Sequence, residues 1–182
     1  MKVDVDLIDR CKANERYAQN ELYRLMLPFL KAVCRRYIIK NEDVNDALQE
    51  SFILIFKKID LYDTSKGSFY SWAVRITINA TINYNQRISV INEEEFLPEL
   101  HDTNTSPDAY LNMSNGELLE IIKRMPKEHF YVFNLYVIDC FQHQEIAELL
   151  GINVSLSRKR LSRGRSWLQQ EIAKMNEQNI RK

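Results

Sequence analysis

Apolar residues in the first part of the chain recur three and four positions apart, which predicts helices. A first helix follows the stripe from Leu22 to Ile38. We expect it to kink or break near Met26–Leu27, because the following Pro28 lacks the backbone N–H that the helix needs. A second helix is expected to begin at about Asp43, where an acid favours the positive end of the helix dipole. Its buried side is predicted to hold Val44, Leu48, Phe52 and Ile55.

A third helix is predicted after a polar loop that ends at Gly67. Ser68 is suited to cap it, since a serine side chain accepts a hydrogen bond from the exposed N–H groups of a first turn. Its buried face is predicted to hold Phe69, Trp72, Ala73 and Ile76. Beyond Asn79 we expect a separate, shorter polar helix that ends near Arg87.

The second part of the chain predicts three further helices. One begins at Pro126 and buries Phe130, Phe133 and Tyr136 or Val137, and the chain then breaks at residues 139–141. A short helix follows over residues 142–150, and Gly151 is placed to end it in a left-handed conformation. Ser155 is expected to open the last helix, whose apolar side carries Leu161, Leu168 and Ile172.

An acidic stretch separates these two groups of helices. Residues 88–120 contain no Lys or Arg but many acids, two prolines and a glycine, which is the composition of a linker. We therefore predict an all-α fold of two small helical domains joined by a flexible acidic linker. The predicted bounds are residues 1–88 for the first domain, 89–115 for the linker and 116–182 for the second domain.

Composition excludes several classes of protein. The 182 residues are 45% hydrophobic and 27% charged, which suits a chain that buries a core. No run of apolar residues has the length of a membrane span, and the first residues lack the apolar segment of a signal peptide. The three cysteines stand far apart and are expected to be reduced thiols in a cytoplasmic protein, with Cys140 buried.

The net charge is zero, but the charges are segregated along the chain. Residues 155–166 contain no acid and five cations. A short helix, a glycine-centred turn and a helix rich in cations are typical of a helix-turn-helix that places its second helix in the DNA major groove. The alternative is an ordinary helical hairpin with a solvated basic face.

A second segment, residues 60–87, interleaves aromatic and basic side chains. Such a pattern suits the binding of unstacked bases. The spacing of Phe69 and Trp72 is also that of a helix core, whereas other positions are harder to explain as core; these are Tyr70, Arg75, Asn79, Asn83 and Tyr84.

An enzyme is the main alternative class. His143 lies three residues after Cys140, but neither a catalytic dyad nor a zinc site finds the further partner it needs at fixed spacing. The four glycines form no phosphate-binding loop. We therefore expect no catalytic residues, no metal, no cofactor and no small-molecule substrate. A DNA-binding repressor is a second alternative, although it would leave the acidic second helix and the aromatic third helix unexplained.

Three motifs in order resemble the sigma-70 family of transcription initiation factors. Residues 43–52, DVNDALQESF, resemble the second helix of the promoter-melting domain, and GSFYSW with RITIN, within residues 67–79, resembles its third. Residues 145–152, EIAELLGI, followed by the basic helix, resemble the C-terminal helix-turn-helix. The length, with two domains and a short linker, is similar to that of the extracytoplasmic-function (ECF) subgroup.

The resemblance implies a non-catalytic subunit that binds core RNA polymerase, recognises the minus-thirty-five and minus-ten promoter elements, and helps to open the duplex. It also implies an anti-sigma factor, often membrane-anchored, as a partner. The implied polymerase-binding residues, which share one side of the second helix, are Asp43, Asp46, Gln49 and Glu50. The implied minus-ten residues are Tyr70, Trp72, Arg75, Asn79, Asn83 and Arg87. The implied minus-thirty-five residues are Arg158, Lys159, Arg160, Ser162, Arg163 and Arg165.

Two sites in the recognition helix, a pair of residues and a single glycine, depart from the family pattern. Leu156 and Ser157 stand where many members carry a Thr-Val pair, and Gly164 stands where alanine is common. Glycine inside a helix costs up to about 1 kcal/mol relative to alanine. These departures concern the DNA sequence that the helix reads rather than the way it docks.

Overall fold

The computed structural model describes residues 3–38, 40–91 and 121–180, and these are helices joined by turns, without a strand among them. The chain divides into two compact units, Met1–Glu95 and Phe96–Lys182. Most of the predicted linker lies outside the described residues, whereas residues 89–91 continue the last helix of the first unit. No helix in the described part of the chain has the length and apolar character needed to cross a membrane.

The N-terminal unit contains four α-helices: α1 (Val5–Lys12), α2 (Arg16–Tyr37), α3 (Val44–Lys58) and α4 (Phe69–Ile91). A 3-10 turn at Asn41–Asp43 leads into α3, and two more at Ile59–Leu61 and Thr64–Lys66 link α3 to α4. Helices α2, α3 and α4 pack against one another, and α1 packs on α2. Their shared core includes Leu22, Met26, Leu30, Ile55 and Ala73, all at most 1% exposed.

Helix α2 passes through Pro28 without interruption, so of the two predicted outcomes, a kink or a break, the break does not occur. Proline removes one backbone donor, and Pro28 itself is exposed. The residues that hold the helix on either side are Met26 and Leu30, whose exposed fractions are 1% and 0%. Because both are locked into the core, packing outweighs the loss of a single hydrogen bond.

Helix α4 is a single helix of 23 residues, so the predicted separate helix beyond Asn79 is also wrong. Ser68 caps it as predicted, since its Oγ accepts a hydrogen bond from the backbone N of Ser71 at 3.1 Å. The buried side continues past Asn79 through Thr81 and Ile82. Thr81 satisfies its buried hydroxyl by donating to a carbonyl one turn earlier, which keeps a polar sequence compatible with a buried helix.

The C-terminal unit is built from α5 (Lys127–Phe133), α6 (His143–Leu150) and α7 (Val154–Ile180). Helices α5 and α6 both pack against α7. A π-helical turn, Asn134–Ile138, follows α5 directly. The largest fully buried side chains of this unit are Met125, Val132, Leu135 and Ile146.

The π-helical turn changes which side chains are buried after α5. Phe133 is buried as predicted, but Phe130 and Tyr136 are only half-buried and Val137 is 44% exposed. In this turn the N–H of Asp139 donates to the carbonyl of Asn134, five residues back, at 3.0 Å. The wider turn rotates the chain, so a stripe extrapolated at 3.6 residues per turn points the wrong way.

The turn between α6 and α7 has the predicted glycine cap. Gly151 adopts a left-handed conformation with φ 63° and ψ 35°. The last helix, however, begins at Val154, one residue before the predicted Ser155. Asn153 is the cap, because its Oδ1 accepts a hydrogen bond from the backbone N of Leu156 at 2.7 Å.

Candidate nucleic-acid interface

Helices α6 and α7 form the helix-turn-helix that the sequence predicts. A capping box fixes the start of α6: the Gln142 side chain accepts from the first turn, and the backbone N of Gln142 donates to Glu145 Oε2 at 2.7 Å. Gly151 and Asn153 then set the path of the turn into α7. Because both ends of the turn are hydrogen-bonded, the orientation of α7 on α6 is defined locally.

The outer face of α7 is cationic. The exposed side chains on this face, which we call the cationic face, are Arg158, Lys159, Ser162, Arg163 and Arg165. The opposite side holds Ser157, Leu161 and Gly164, all buried. A guanidinium fork suits both guanine edges and phosphates, so the face has the chemistry for binding duplex DNA.

Arg160 does not belong to the cationic face, although the family resemblance groups it with Lys159 and Arg163 among the minus-thirty-five residues. Its side chain is only 22% exposed, and Nη2 lies 3.3 Å from Glu128 Oε2 on α5. Its Nε is buried and lacks a hydrogen-bond partner within the described part of the chain. Arg160 therefore bridges α7 to α5, and the packing of α7 against α5 turns it away from the outer face.

Ser157, one of the two departures from the family pattern, is a packing residue. It is fully buried, and its Oγ shares a hydrogen bond of 2.9 Å with His143 Nδ1. This contact joins the beginning of α6 to the beginning of α7. Burial lowers the pKa of His143 below its ordinary 6.5, and the nearby Arg158 and Arg165 lower it further, so the folded domain favours the neutral imidazole.

Gly164, the other departure, lies where α7 approaches the segment that leads into α5. A Cβ at this position would lie 3.2 Å from Met125 Sδ and 3.4 Å from the His129 Cβ. The absence of a side chain thus permits a close approach of the two segments. Burial lowers the pKa of His129, with Arg163 and Arg160 acting in the same direction and Glu128 opposing them.

On α4, three of the predicted minus-ten residues form a single exposed stripe. Arg75, Asn79 and Asn83 are exposed and spaced four residues apart, so they lie one above the other on the helix. Amide side chains carry both a donor and an acceptor, which suits the edge of an unpaired base. The stripe is thus an exposed polar surface of α4.

The aromatic residues at the start of α4 are largely structural. Trp72 is half-buried and lies 5.5 Å from Tyr62 and 5.3 Å from Phe69, measured between ring centroids. Tyr70 is half-buried and meets Phe29 edge-on at 5.9 Å. The core interpretation of Phe69 is confirmed by its 3% exposure. These rings fix the first turn of α4, and Tyr70 and Trp72 are only partly exposed.

Tyr84, which the sequence pattern sets outside the core, is buried. Its ring is 6% exposed, and Oη donates to Asp43 Oδ1 at 3.4 Å. Burial raises the pKa of this phenol, as do Asp43, Asp46 and Glu50. Tyr84 therefore anchors the end of α4 to the acidic start of α3.

On α3, the predicted division into an inner and an outer side is confirmed. The inner side is buried, with exposed fractions of 5% or less at Val44, Leu48, Phe52 and Ile55. Asp46 and Gln49 are exposed, and Asp43 and Glu50 are half-buried. Glu50 pairs with Arg87 of α4 at 2.5 Å, and Arg87, which is exposed and follows Asn83 by four residues, lies at the end of the stripe that starts at Arg75.

Two residues of these surfaces escaped the sequence-based expectations. Ile53 is 65% exposed and lies on the same side of α3 as Gln49 and Glu50, so this polar side also carries an exposed apolar side chain. A signal existed, since Ile53 falls outside the apolar stripe of α3. Tyr136 is the other: its ring stacks on the His143 imidazole, with 4.5 Å between centroids and 25° between planes. No sequence signal marks it, because its orientation depends on the π-helical turn.

The predicted burial of Cys140 is wrong. The residue is exposed, with φ at 57°, in the turn that connects the π-helical segment to α6. Cys11 and Cys34 are buried. Within residues 3–38, 40–91 and 121–180, no group of three or more His, Cys, Asp or Glu side chains is arranged to hold a metal.

Comparison with known families gives two matches, one in each unit. The family described as Sigma-70 region 2 matches residues 22–89, and Sigma-70, region 4 matches residues 115–168. The ECF RNA polymerase sigma-E factor of Haemophilus influenzae is 24% identical over 181 residues, covering 93% of this chain and 95% of that protein. The ECF RNA polymerase sigma factor SigE of Mycolicibacterium smegmatis is 30% identical over 138 residues, covering 72% of this chain and 52% of its own length.

Solved structures show the same fold. The sigma factor RpoE of Bartonella quintana, determined in complex with the anti-sigma factor NepR, aligns with a TM-score of 0.58 and 16% identity over 85% of this chain and 96% of that one. CnrH, determined in complex with the cytosolic domain of CnrY, aligns with a TM-score of 0.51 and 19% identity over 92% and 95%.

Proposed function

Because the chain belongs to the sigma-70 family of RNA polymerase sigma factors, in the ECF subgroup, we propose that its two domains divide promoter recognition between them. It is a non-enzymatic factor that binds core RNA polymerase and directs transcription to promoters. In our proposal, region 4 reads the minus-thirty-five duplex and region 2 docks on the polymerase and melts the minus-ten element. The observation that carries the proposal is the order of the two family matches, each on a unit with a fitting exposed surface.

For the minus-thirty-five element, the proposed surface is the cationic face of α7. Arg158, Lys159 and Arg163 are proposed to approach base edges, while Arg165 holds a phosphate and Ser162 supports the contact. Arg160 retains only an indirect role, because its contact with Glu128 ties it to α5. The face suits this role because its cations are exposed while its reverse side is packed.

For the minus-ten element, the proposed surface is the exposed stripe of α4. Strand opening without ATP has to draw on binding energy, and unstacking one base costs a few kcal/mol. Asn79 is proposed to capture a base edge, with Arg75 and Asn83 on either side of it. Tyr70 and Trp72 support this surface by packing the first turn of α4.

For core RNA polymerase, the proposed surface is the outer side of α3. Asp46 and Gln49 are exposed there, and Glu50 and Asp43 border them beside α4. A line of acids and an amide on a rigid helix suits a basic, hydrogen-bonding partner surface.

An anti-sigma factor is proposed as a regulatory partner. Support comes from two solved structures of the same fold, one with an anti-sigma factor and one with the cytosolic domain of CnrY. Since core RNA polymerase works on chromosomal DNA, we propose that the protein acts in the cytoplasm.

Transcription in vitro with core polymerase on a promoter library tests the proposal. The wild-type factor is expected to select a set of promoters with common minus-thirty-five and minus-ten elements. The double variant Asp46→Lys and Glu50→Lys is expected to lose core binding while its helical content stays unchanged. The matched control reverses two exposed acids elsewhere on the same unit, Asp9→Lys and Glu21→Lys, and is expected to bind core normally. Equal core affinity for both double variants would contradict the assignment of α3.

A further inference from the structure

Tyr136 contacts two charged or polar side chains of the helix-turn-helix at once. Its ring stacks on His143 with 4.5 Å between centroids, and the Arg165 guanidinium carbon lies 5.9 Å from its centroid. His143 is tied to α7 through Ser157. The ring therefore stands where α6, α7 and the π-helical turn meet.

The π-helical turn is what presents Tyr136 at this place. A regular α-helical continuation of α5 would point the ring in another direction, because an α turn contains fewer residues than a π turn. Such π turns are rare in proteins, and those that occur are often found at functional sites. Asn134 helps to hold the turn: its Nδ2 donates to the carbonyl of Phe130 at 2.9 Å. The π-helical turn is thus stabilised, and it places the Tyr136 ring beside the Arg165 guanidinium.

Arg165 is exposed on the cationic face, and within the described part of the chain its contact is this ring. An arginine that is flexible in solution loses rotamer freedom when it binds a phosphate, which weakens binding. A guanidinium already resting against an aromatic ring has lost part of that freedom before DNA arrives. No other cation of the cationic face has a ring contact among the described residues.

We propose that Tyr136 is a positioning residue for promoter binding, which holds the Arg165 guanidinium in place for a DNA phosphate while His143 fixes the ring. This inference rests on the proposed function of region 4. It assigns a role to a residue outside α7 that does not itself need to touch DNA.

The test measures the affinity of reconstituted holoenzyme for a fragment carrying the minus-thirty-five element, at several salt concentrations. Tyr136→Leu removes the ring and is expected to weaken binding about two- to fivefold. Tyr136→Phe keeps the ring and is expected to rescue binding to within about twofold of wild type. Tyr136→Leu is also expected to lower the salt slope toward that of Arg165→Ala, which lacks one phosphate contact.

Double variants separate positioning from general weakening of the fold. Combined with Arg165→Ala, Tyr136→Leu is expected to add no further loss, because its effect passes through Arg165. When Tyr136→Leu is combined with the control Arg163→Ala, at a residue outside the ring contact, the two fold losses in affinity are expected to multiply. An equal loss from Tyr136→Leu in both backgrounds would overturn the proposal.

Arg165→Lys provides a second variant in case Tyr136→Leu fails to fold. Lysine keeps the charge but lacks the planar group that stacks on a ring, and position 165 is exposed. We expect binding about twofold weaker than wild type, and unchanged affinity would count against positioning. If Arg165→Ala binds like wild type while Arg163→Ala does not, the positioning role falls and the proposed function of region 4 stands. If neither variant weakens binding, the cationic face itself is not the promoter-binding surface.

Discussion

Arg87 Nη2 lies 2.5 Å from Glu50 Oε1, which joins the end of α4 to the outer side of α3. The two residues belong to surfaces that we assign to different partners, the minus-ten strand and core polymerase. Their side chains are 54% and 39% exposed, and Tyr84 makes a second link to Asp43 close by. The surfaces that we propose for polymerase binding and for promoter melting therefore share a border, and a variant on one side can disturb the other.

A double-mutant cycle measures how far this border couples the two surfaces. Because both side chains are exposed, we expect Glu50→Gln and Arg87→Gln to show a coupling below about 1 kcal/mol in the free energy of unfolding. Glu50→Gln is expected to weaken core binding and Arg87→Gln to leave it nearly unchanged, as measured by fluorescence anisotropy with labelled core. A coupling of several kcal/mol would mean that the pair is structural rather than part of either surface.

Asn79 is expected to act in strand opening rather than in initial binding. Asn79→Ala is predicted to reduce open-complex formation far more than closed-complex formation, since the amide meets a base only after unstacking. Permanganate reactivity of the minus-ten thymines reports opening, and gel mobility at low temperature reports the closed complex. Asn20→Ala, an exposed asparagine on α2, serves as the control. Equal loss in both steps would point to a duplex-binding role.

Arg160 and Arg163 are expected to fail in different ways when replaced by alanine. Arg160→Ala breaks the bridge to Glu128 and is predicted to lower the stability of the C-terminal domain by at most about 1 kcal/mol, with the salt dependence of DNA binding unchanged. Arg163→Ala is predicted to keep stability and to weaken binding. Loss of a base contact shows as relaxed preference at one promoter position, and loss of a phosphate contact lowers the salt slope by roughly one. A smaller salt slope for Arg160→Ala would return this residue to the DNA-binding surface.

The C-terminal domain is predicted to lose stability as the pH falls. The pKa values of His143 and His129 are lowered, chiefly by burial, so the unfolded chain takes up protons before the folded one does. Their contribution is complete above the ordinary pKa of 6.5 and is lost as the pH falls from there through the lowered folded values.

Hydrogen exchange of peptides from α5 to α7, corrected for intrinsic rates, measures this loss. The first 95 residues contain no histidine, so α2 and α3 provide an internal control without a histidine-linked change. His143→Gln combined with His129→Gln is expected to flatten the dependence. If the stability of the C-terminal domain still falls with pH in this variant, the pH dependence arises from other groups.

One cysteine of the three is expected to react in the native protein. Cys140 is exposed, whereas burial raises the pKa of Cys11 to about 11 and also raises that of Cys34. Only the thiolate attacks, so a buried thiol with a raised pKa is slow for two reasons. Titration with a disulfide reagent at pH 8 is predicted to modify Cys140 at once and the other two after denaturation. Rapid modification of Cys34 would show that the packing of α2 on α4 opens readily.

The helical fold, the helix-turn-helix and the inner side of α3 could all be predicted from the amino-acid sequence. Each rests on local chemistry: a 3.6-residue repeat, the glycine at 151 that a left-handed cap needs, and the serine at 68 that caps α4. The same local rules were wrong at Pro28 and beyond Asn79, where packing on both sides of a weak position carries the helix onward. Helix propensity contributes little to the free energy of folding, and the burial of several large side chains contributes more.

Which cations face outward and which aromatic rings lie inside depends on how the helices pack. The sequence pattern does not distinguish Arg160 from Arg163. Their surroundings differ because α5 places Glu128 beside Arg160. Tyr84 is buried where Asp43, in the turn before α3, accepts a hydrogen bond from its hydroxyl. Tyr136 reaches Arg165 because a π turn rotates the chain by an amount that no periodic pattern encodes. These outcomes depend on residues far apart in the chain or on a local change of helical pitch. The hydrophobic repeat within a single helix predicts neither the distant contacts nor the change of pitch.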